Sequence, residues 1–156
     1  LLNSSGLLRF ACNDTIISRV IASKAKQSIF NFSQMNLVLI AIGGASGSVM
    51  RYLFSLFLEA GKFPLATFAV NVLGSLLAGF AYFFVIKHFD VIDPRFKNFL
   101  FVGFFGGFTT FSTFSLDFFR LFTAGNYPQA FAYAASSVVL SLLAIFFGFY
   151  LAKCLA

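Results

Sequence analysis

The chain has no tryptophan, one histidine, two cysteines, three prolines and five acidic residues among its 156 positions. With a single His and so few carboxylates it can assemble neither a nucleophile with its base nor a His/Cys/Glu metal cluster, which argues against an enzyme. Cys12 and Cys154 stand near opposite ends of the chain, which argues against a disulfide. Without Trp, the aromatic belt of a membrane protein would fall to the five Tyr. Charge is scarce as well: 10% of residues, against about 25% in a soluble domain. The formal charge of +6 forms no basic patch interleaved with exposed aromatics, so no nucleic-acid partner is expected.

What fills the chain instead is apolar. Hydrophobic residues make up 60%, 26 of them Phe, and the mean hydropathy is +0.91. This is the composition of an integral, multi-pass membrane protein. A spanning helix needs roughly 20 mostly apolar residues, and four stretches qualify: about 36–58, 64–86, 96–122 and 128–152. Glu59, Gly61, Lys62 and Pro64 mark the first turn, KHFDVIDPRFKN the one strongly charged loop, and AGNYP the last turn. The expected fold class is an all-α membrane protein with four transmembrane helices.

Residues 1–34 differ in kind. They carry Arg9, Arg19, Lys24 and Lys26 against Asp14, and contain no apolar run long enough to span. We expect a leader outside the folded domain, with Met35 as the native start; an organellar presequence or an amphipathic surface segment is the alternative. Residues 35–156 are the expected four-helix domain. In that domain Lys87, Arg95, Lys97 and Lys153 lie on one side of the membrane and Arg51, Lys62 and Arg120 on the other, four against three. So small a bias permits insertion in both directions and head-to-tail pairing of two copies. Counting the leader would make it eight against three.

Polar side chains within the spans carry two readings each. Arg51 either snorkels to the interface or attracts anions in a vestibule. The glycines at 43, 44 and 47 indicate close helix packing. Asn71 either makes an interhelical bond or donates into a wet cavity. Tyr133, Ser137 and Ser141 recur at i, i+4 and i+8, so their hydroxyls share one face; they form a hydrogen-bonding track or bond back to the preceding turn. In GFFGGFTTFSTFSLD, residues 103–117, Gly106 and Gly107 followed by Thr109 and Thr110 weaken the third helix at its centre. Backbone freed at membrane depth is tolerated only where protein buries it or water reaches it. Its carbonyls suit a hard cation and its N–H groups an anion. Phe111 and Phe114, three apart, share a face; ring edges directed into a pore favour anions, although on residues alone two phenylalanines facing lipid or core are the commoner arrangement in so Phe-rich a chain.

The same stretch resembles the GGxTTFSTF signature of the Fluc (CrcB) family of fluoride channels, and the likeness extends to GGASGSVMRY in the first helix and NVLGS in the second, covering residues 35–156. The resemblance implies an antiparallel, dual-topology homodimer in the bacterial inner membrane that passively exports cytoplasmic fluoride and relieves its toxicity. It implies that Phe111 and Phe114 line the pore and that Asn71 donates to fluoride. Tyr133, Ser137 and Ser141 would form the polar track, with Thr110 and Ser112 beside it. Arg51 would match the first-helix arginine. The main-chain oxygens of Gly106 and Thr109 would hold a structural sodium ion on the dimer axis. Fluoride is strongly hydrated, so neutral donors must replace its water without trapping it; spacing alone does not separate fluoride from chloride.

Two other functions remain open on residues alone. A small proton-coupled exporter needs a titratable group deep in the membrane, whereas Glu59 and Asp117 fall near span ends and His88 in a loop. A structural subunit of a membrane complex would explain the small-residue faces but not the aligned hydroxyls. Reporter fusions to residues 35–156 are expected to find the C-terminus on both sides of the membrane; a single orientation would refute dual insertion.

Overall fold

The computed structural model describes the backbone of residues 4–58, 63–88 and 90–156, and the side chains within those ranges except at 4–21, 25 and 28–32. The turn expected at Glu59, Gly61 and Lys62 therefore lies outside the described residues, as do most side chains of the expected leader. The chain divides into two compact units, residues 1–37 and 38–156. The first is helical where it is described; the second holds the remaining helices.

Every described element is helical: α1 is Ser4–Leu58, α2 Leu65–Lys87 and α3 Pro94–Lys97, followed by a π-helical segment Asn98–Phe105; α4 is Gly106–Phe108, α5 Phe111–Thr123 and α6 Tyr127–Leu155. Ser33–Leu58, Leu65–Lys87, Pro94–Thr123 and Tyr127–Leu155 are each long and apolar enough to cross a membrane. The four expected spans are present, with their ends shifted by a few residues.

Local chemistry places the ends. Asp93 caps α3, its carboxylate accepting from Arg95 N–H at 2.7 Å, and Pro94 follows where a missing N–H costs nothing. After α5 the chain turns through Gly125, whose φ of 78° is open to glycine. There the Gly125 N–H bonds the Phe122 carbonyl and the Asn126 N–H the Leu121 carbonyl, both at 3.0 Å, which satisfies the helix end.

The third span is composite. Its π-helical turns pass into α4, and helicity then stops for Thr109 (φ −79°, ψ 156°) and Thr110 (φ −152°, ψ 120°) before α5 begins. The interruption was expected over Gly106, Gly107, Thr109 and Thr110, and it falls on the two threonines, not on the glycines. The reason is packing: Gly107 stays helical because it lies directly on the Gly44 backbone of α1, and Gly47 likewise faces the Phe104 carbonyl. These glycines allow contact; Thr110, extended and capping α5, makes the break.

The main helix pair is α2 with α6. Gly79 faces the Ile145 carbonyl and Gly148 the Leu76 carbonyl, an antiparallel register in which either missing side chain lets backbone meet backbone. A small aromatic core of Leu121, Ala130 and Tyr133, with Phe63, Phe68, Phe114 and Phe118 around it, ties α5 and α6 to the start of α2. Large apolar side chains such as Phe57, Phe146 and Phe147 are exposed, as a lipid-facing surface requires. A Cβ at Gly148 would fall on the Leu76 carbonyl, and overpacking of this kind costs about 1–3 kcal/mol. Gly148→Val should therefore lower the thermal midpoint of the purified protein, whereas Gly125→Asn in the open turn should change it little.

Candidate functional site

The break in the third span exposes two peptide groups of Thr110, and α2 supplies their partners. The Thr110 N–H donates to Asn71 Oδ1 at 2.8 Å, and Asn71 Nδ2 donates to the Thr110 carbonyl at 3.1 Å. One carboxamide thus pairs with both main-chain groups of Thr110. Thr110 Oγ1 in turn accepts the Thr113 N–H at 3.2 Å, capping α5, and meets Thr113 Oγ1 at 3.1 Å and Ser112 Oγ at 3.2 Å.

Beside this clasp lies a cavity of about 350 Å³. Asn71 and Ser75 of α2, Thr109 and Thr110 of the break, Phe111 and Phe114 of α5, and Ser137 and Ser141 of α6 face it together with Val138 and Leu142. Among the described residues no charged side chain lines it. The Phe111 and Phe114 rings stand 5.4 Å apart and tilted by 39°. Phe111 is 76% exposed, so the cavity opens at the protein surface. The hydroxyls of Tyr133, Ser137 and Ser141 are buried without a hydrogen-bond partner. Such a group costs about 1–3 kcal/mol unless something answers it.

The expected site residues separate as follows. Asn71, Thr110, Phe111, Phe114, Ser137 and Ser141 meet around one cavity, with Thr109 on its wall. Tyr133 sits just beyond it, fully buried, its ring 5.3 Å from Phe114 and 5.7 Å from Phe63. Its phenol lies beside the Thr67 and Asp117 pair without meeting hydrogen-bond geometry. Ser112 is exposed and reaches the site through Thr110. Gly106 is exposed, and the Thr109 hydroxyl turns back to the Phe105 carbonyl at 2.9 Å. Arg51 belongs to a second cavity of about 260 Å³, where among the described residues it is the one charged wall residue, set among hydroxyls that include Ser48, Ser55, Thr67 and Thr113. Thr110 borders both cavities.

Sequence reasoning passed over two residues of α2. Thr67 and Ser75 flank Asn71 at i−4 and i+4, one polar stripe facing the Tyr133, Ser137 and Ser141 stripe of α6; the spacing was a usable signal. Thr67 Oγ1 donates to Asp117 Oδ2 at 2.7 Å, while Arg120 approaches the other carboxylate oxygen at 3.6 Å from an exposed position. Replacing a partnerless hydroxyl removes a cost, whereas stripping a buried carboxylate of its donor adds one. Ser137→Ala should therefore keep or raise the thermal midpoint of the purified protein, and Thr67→Ala should destabilise it by about 1–3 kcal/mol.

A membrane-spanning bundle that keeps a neutral, hydroxyl-walled cavity against an interrupted helix is built as a small transport protein. Residues 38–149 match the family model described as CrcB-like protein, Camphor Resistance (CrcB), and the chain belongs to that family. It is similar to proteins named fluoride-specific ion channel FluC. The one from Phocaeicola vulgatus is 40% identical over 121 residues, which is 76% of this chain and 98% of that protein. That from Hahella chejuensis is 40% identical over 121 residues, 76% of this chain and 94% of that protein. That from Rhizobium meliloti is 44% identical over 116 residues, 72% of this chain and 92% of that protein.

Proposed function

We propose that the chain is a fluoride channel, not an enzyme, which lets cytoplasmic fluoride leave a bacterial cell passively across the inner membrane. The observation that carries this reading is the cavity in which a carboxamide, two phenyl rings and two partnerless hydroxyls converge with no fixed charge among them. Neutral donors replace the water of a small halide, and without a Lys or Arg beside them none holds it long enough to stop conduction. The relatives named as fluoride-specific channels support fluoride as the ion.

In this reading fluoride enters past Arg51, whose charge raises anion concentration in the second cavity. It then passes Thr110 and Ser112, is flanked by the positive edges of Phe111 and Phe114, and moves along Ser141, Ser137 and Tyr133. The exposure of Phe111 supports a second subunit completing the wall, and the near-even Lys/Arg placement supports an antiparallel, dual-topology homodimer. Residues 35–156 form the channel domain, and residues 1–34 are a leader.

A structural sodium ion fits the break. The Thr110 N–H that would close the helical bond to the Gly106 carbonyl goes to Asn71, and the Thr113 N–H, four residues beyond Thr109, goes to Thr110 Oγ1. The Gly106 and Thr109 main-chain oxygens thereby lack their regular helical donors and suit a hard cation. These two oxygens from each subunit would hold the ion on the dimer axis. Bound there, it would supply a fixed positive charge that offsets the crowded carbonyl dipoles.

Liposome efflux measured with fluoride and then with chloride tests the function; release of fluoride alone is the expected result, and no release, or equal release of both, would overturn it. Phe111→Ile or Phe114→Ile should cut fluoride efflux about two- to tenfold, the loss of one such ring contact being about 0.5–1.5 kcal/mol, while the dimer still elutes intact. Unchanged flux would remove the rings from the pore.

A further inference from the structure

We propose that Asn71 is a positioning residue: it acts on the site through Thr110, holding the break open and in register. In a continuous α-helix the Thr110 N–H would bond the Gly106 carbonyl, four residues back. Here Asn71 Oδ1 takes that proton at 2.8 Å, and Asn71 Nδ2 covers the Thr110 carbonyl at 3.1 Å. The side chain mimics a neighbouring strand, pairing an extended residue on both of its backbone groups. Three consequences follow from one carboxamide. The Gly106 oxygen loses its helical donor. The Thr110 side chain is left free to cap α5 through Thr113 N–H at 3.2 Å, which orients Phe111 and Phe114. And Thr110 stays fixed as the wall common to the two cavities.

The amide nitrogen carries two hydrogens, and the clasp uses one. Asn71 also lines the cavity, so the remaining N–H is aimed by the same bonds that hold the break. A donor aimed this way cannot swing away between ions. The geometry stands without the channel function, and only the step from a held break to ion passage rests on that reading.

The test is residue-resolved hydrogen exchange on the full-length protein in lipid nanodiscs, comparing the Thr110 amide with the Thr123 amide as a control inside α5. In the unaltered protein the Thr110 amide should be protected although it lies between helices; exchange at the rate of an open loop would overturn the proposal. Asn71→Ala should speed Thr110 exchange roughly tenfold, the worth of one such bond, with Thr123 unchanged. Asn71→Asp keeps an acceptor for the Thr110 N–H and should restore its protection, although it cannot donate to the carbonyl. A residue that only touched the halide would leave Thr110 exchange equal in all three proteins, and that equality would overturn the proposal. Should Asn71→Ala fail to fold, Asn71→Leu, of similar volume and without a polar atom, takes its place: faster Thr110 exchange than in the unaltered protein supports the clasp, and an equal rate overturns it. Exchange is read without fluoride, so its outcome is independent of whether the chain conducts.

Discussion

A peptide group facing hydrocarbon costs several kcal/mol unless it is paired, and this chain interrupts a spanning helix in spite of that cost. What makes the interruption tolerable is a side chain from another helix. Asn71 gives Thr110 one acceptor and one donor, so α5 can start afresh while no backbone group of Thr110 is left bare. The features of the site follow from that bond pair: rings presented at the first turn of α5, carbonyls released behind it, and a wall between two cavities.

Close backbone packing gives the clasp its rigidity. Asn71 lies on α2, and α2 is held against α6 where Gly79 and Gly148 let main chains touch. The same economy of side chains appears where α1 meets the third span at Gly44 and Gly107. Helices locked at such short range cannot slide without collision, because a packed interior offers few small displacements. A donor on one helix and an extended residue on another therefore stay within hydrogen-bonding distance. The aromatic cluster around Tyr133 does the same for α5 and α6 with rings in place of glycines.

Much of the architecture was legible because length and apolarity alone decide what can cross a bilayer. The spans read from composition and those in the structure differ mainly at their ends, where caps such as Asp93 and the Gly125 turn set the limits. The site was legible in part. Ser137 and Ser141 declared themselves by spacing, whereas Phe111 and Phe114 were singled out only through the resemblance of their stretch to a known signature. The break was legible as a stretch but not to the residue, because glycine signals both flexibility and contact; at Gly107 contact is its use, and Thr109 and Thr110 carry the interruption. Nor could the sequence show that Asn71 meets Thr110, since a hydrogen bond between residues 39 apart leaves no local pattern. The π-helical segment Asn98–Phe105 was equally hidden, because a run of mostly apolar residues has no periodicity to shift. Thr67 and Ser75 were visible and passed over, as their polarity is modest beside that of Asn71.

Among the described residues, the cavity wall contains no ionisable side chain. A machine that moves a solute uphill must tie each step to some second event, such as a proton taken up or a phosphate cleaved, and that tie requires a group whose state can change. Seryl, threonyl, amide and phenyl groups have one state each. On the proposed function, this wall offers no handle by which metabolism could drive the ion, so the direction of flow is dictated from outside, and reversing the surroundings reverses it.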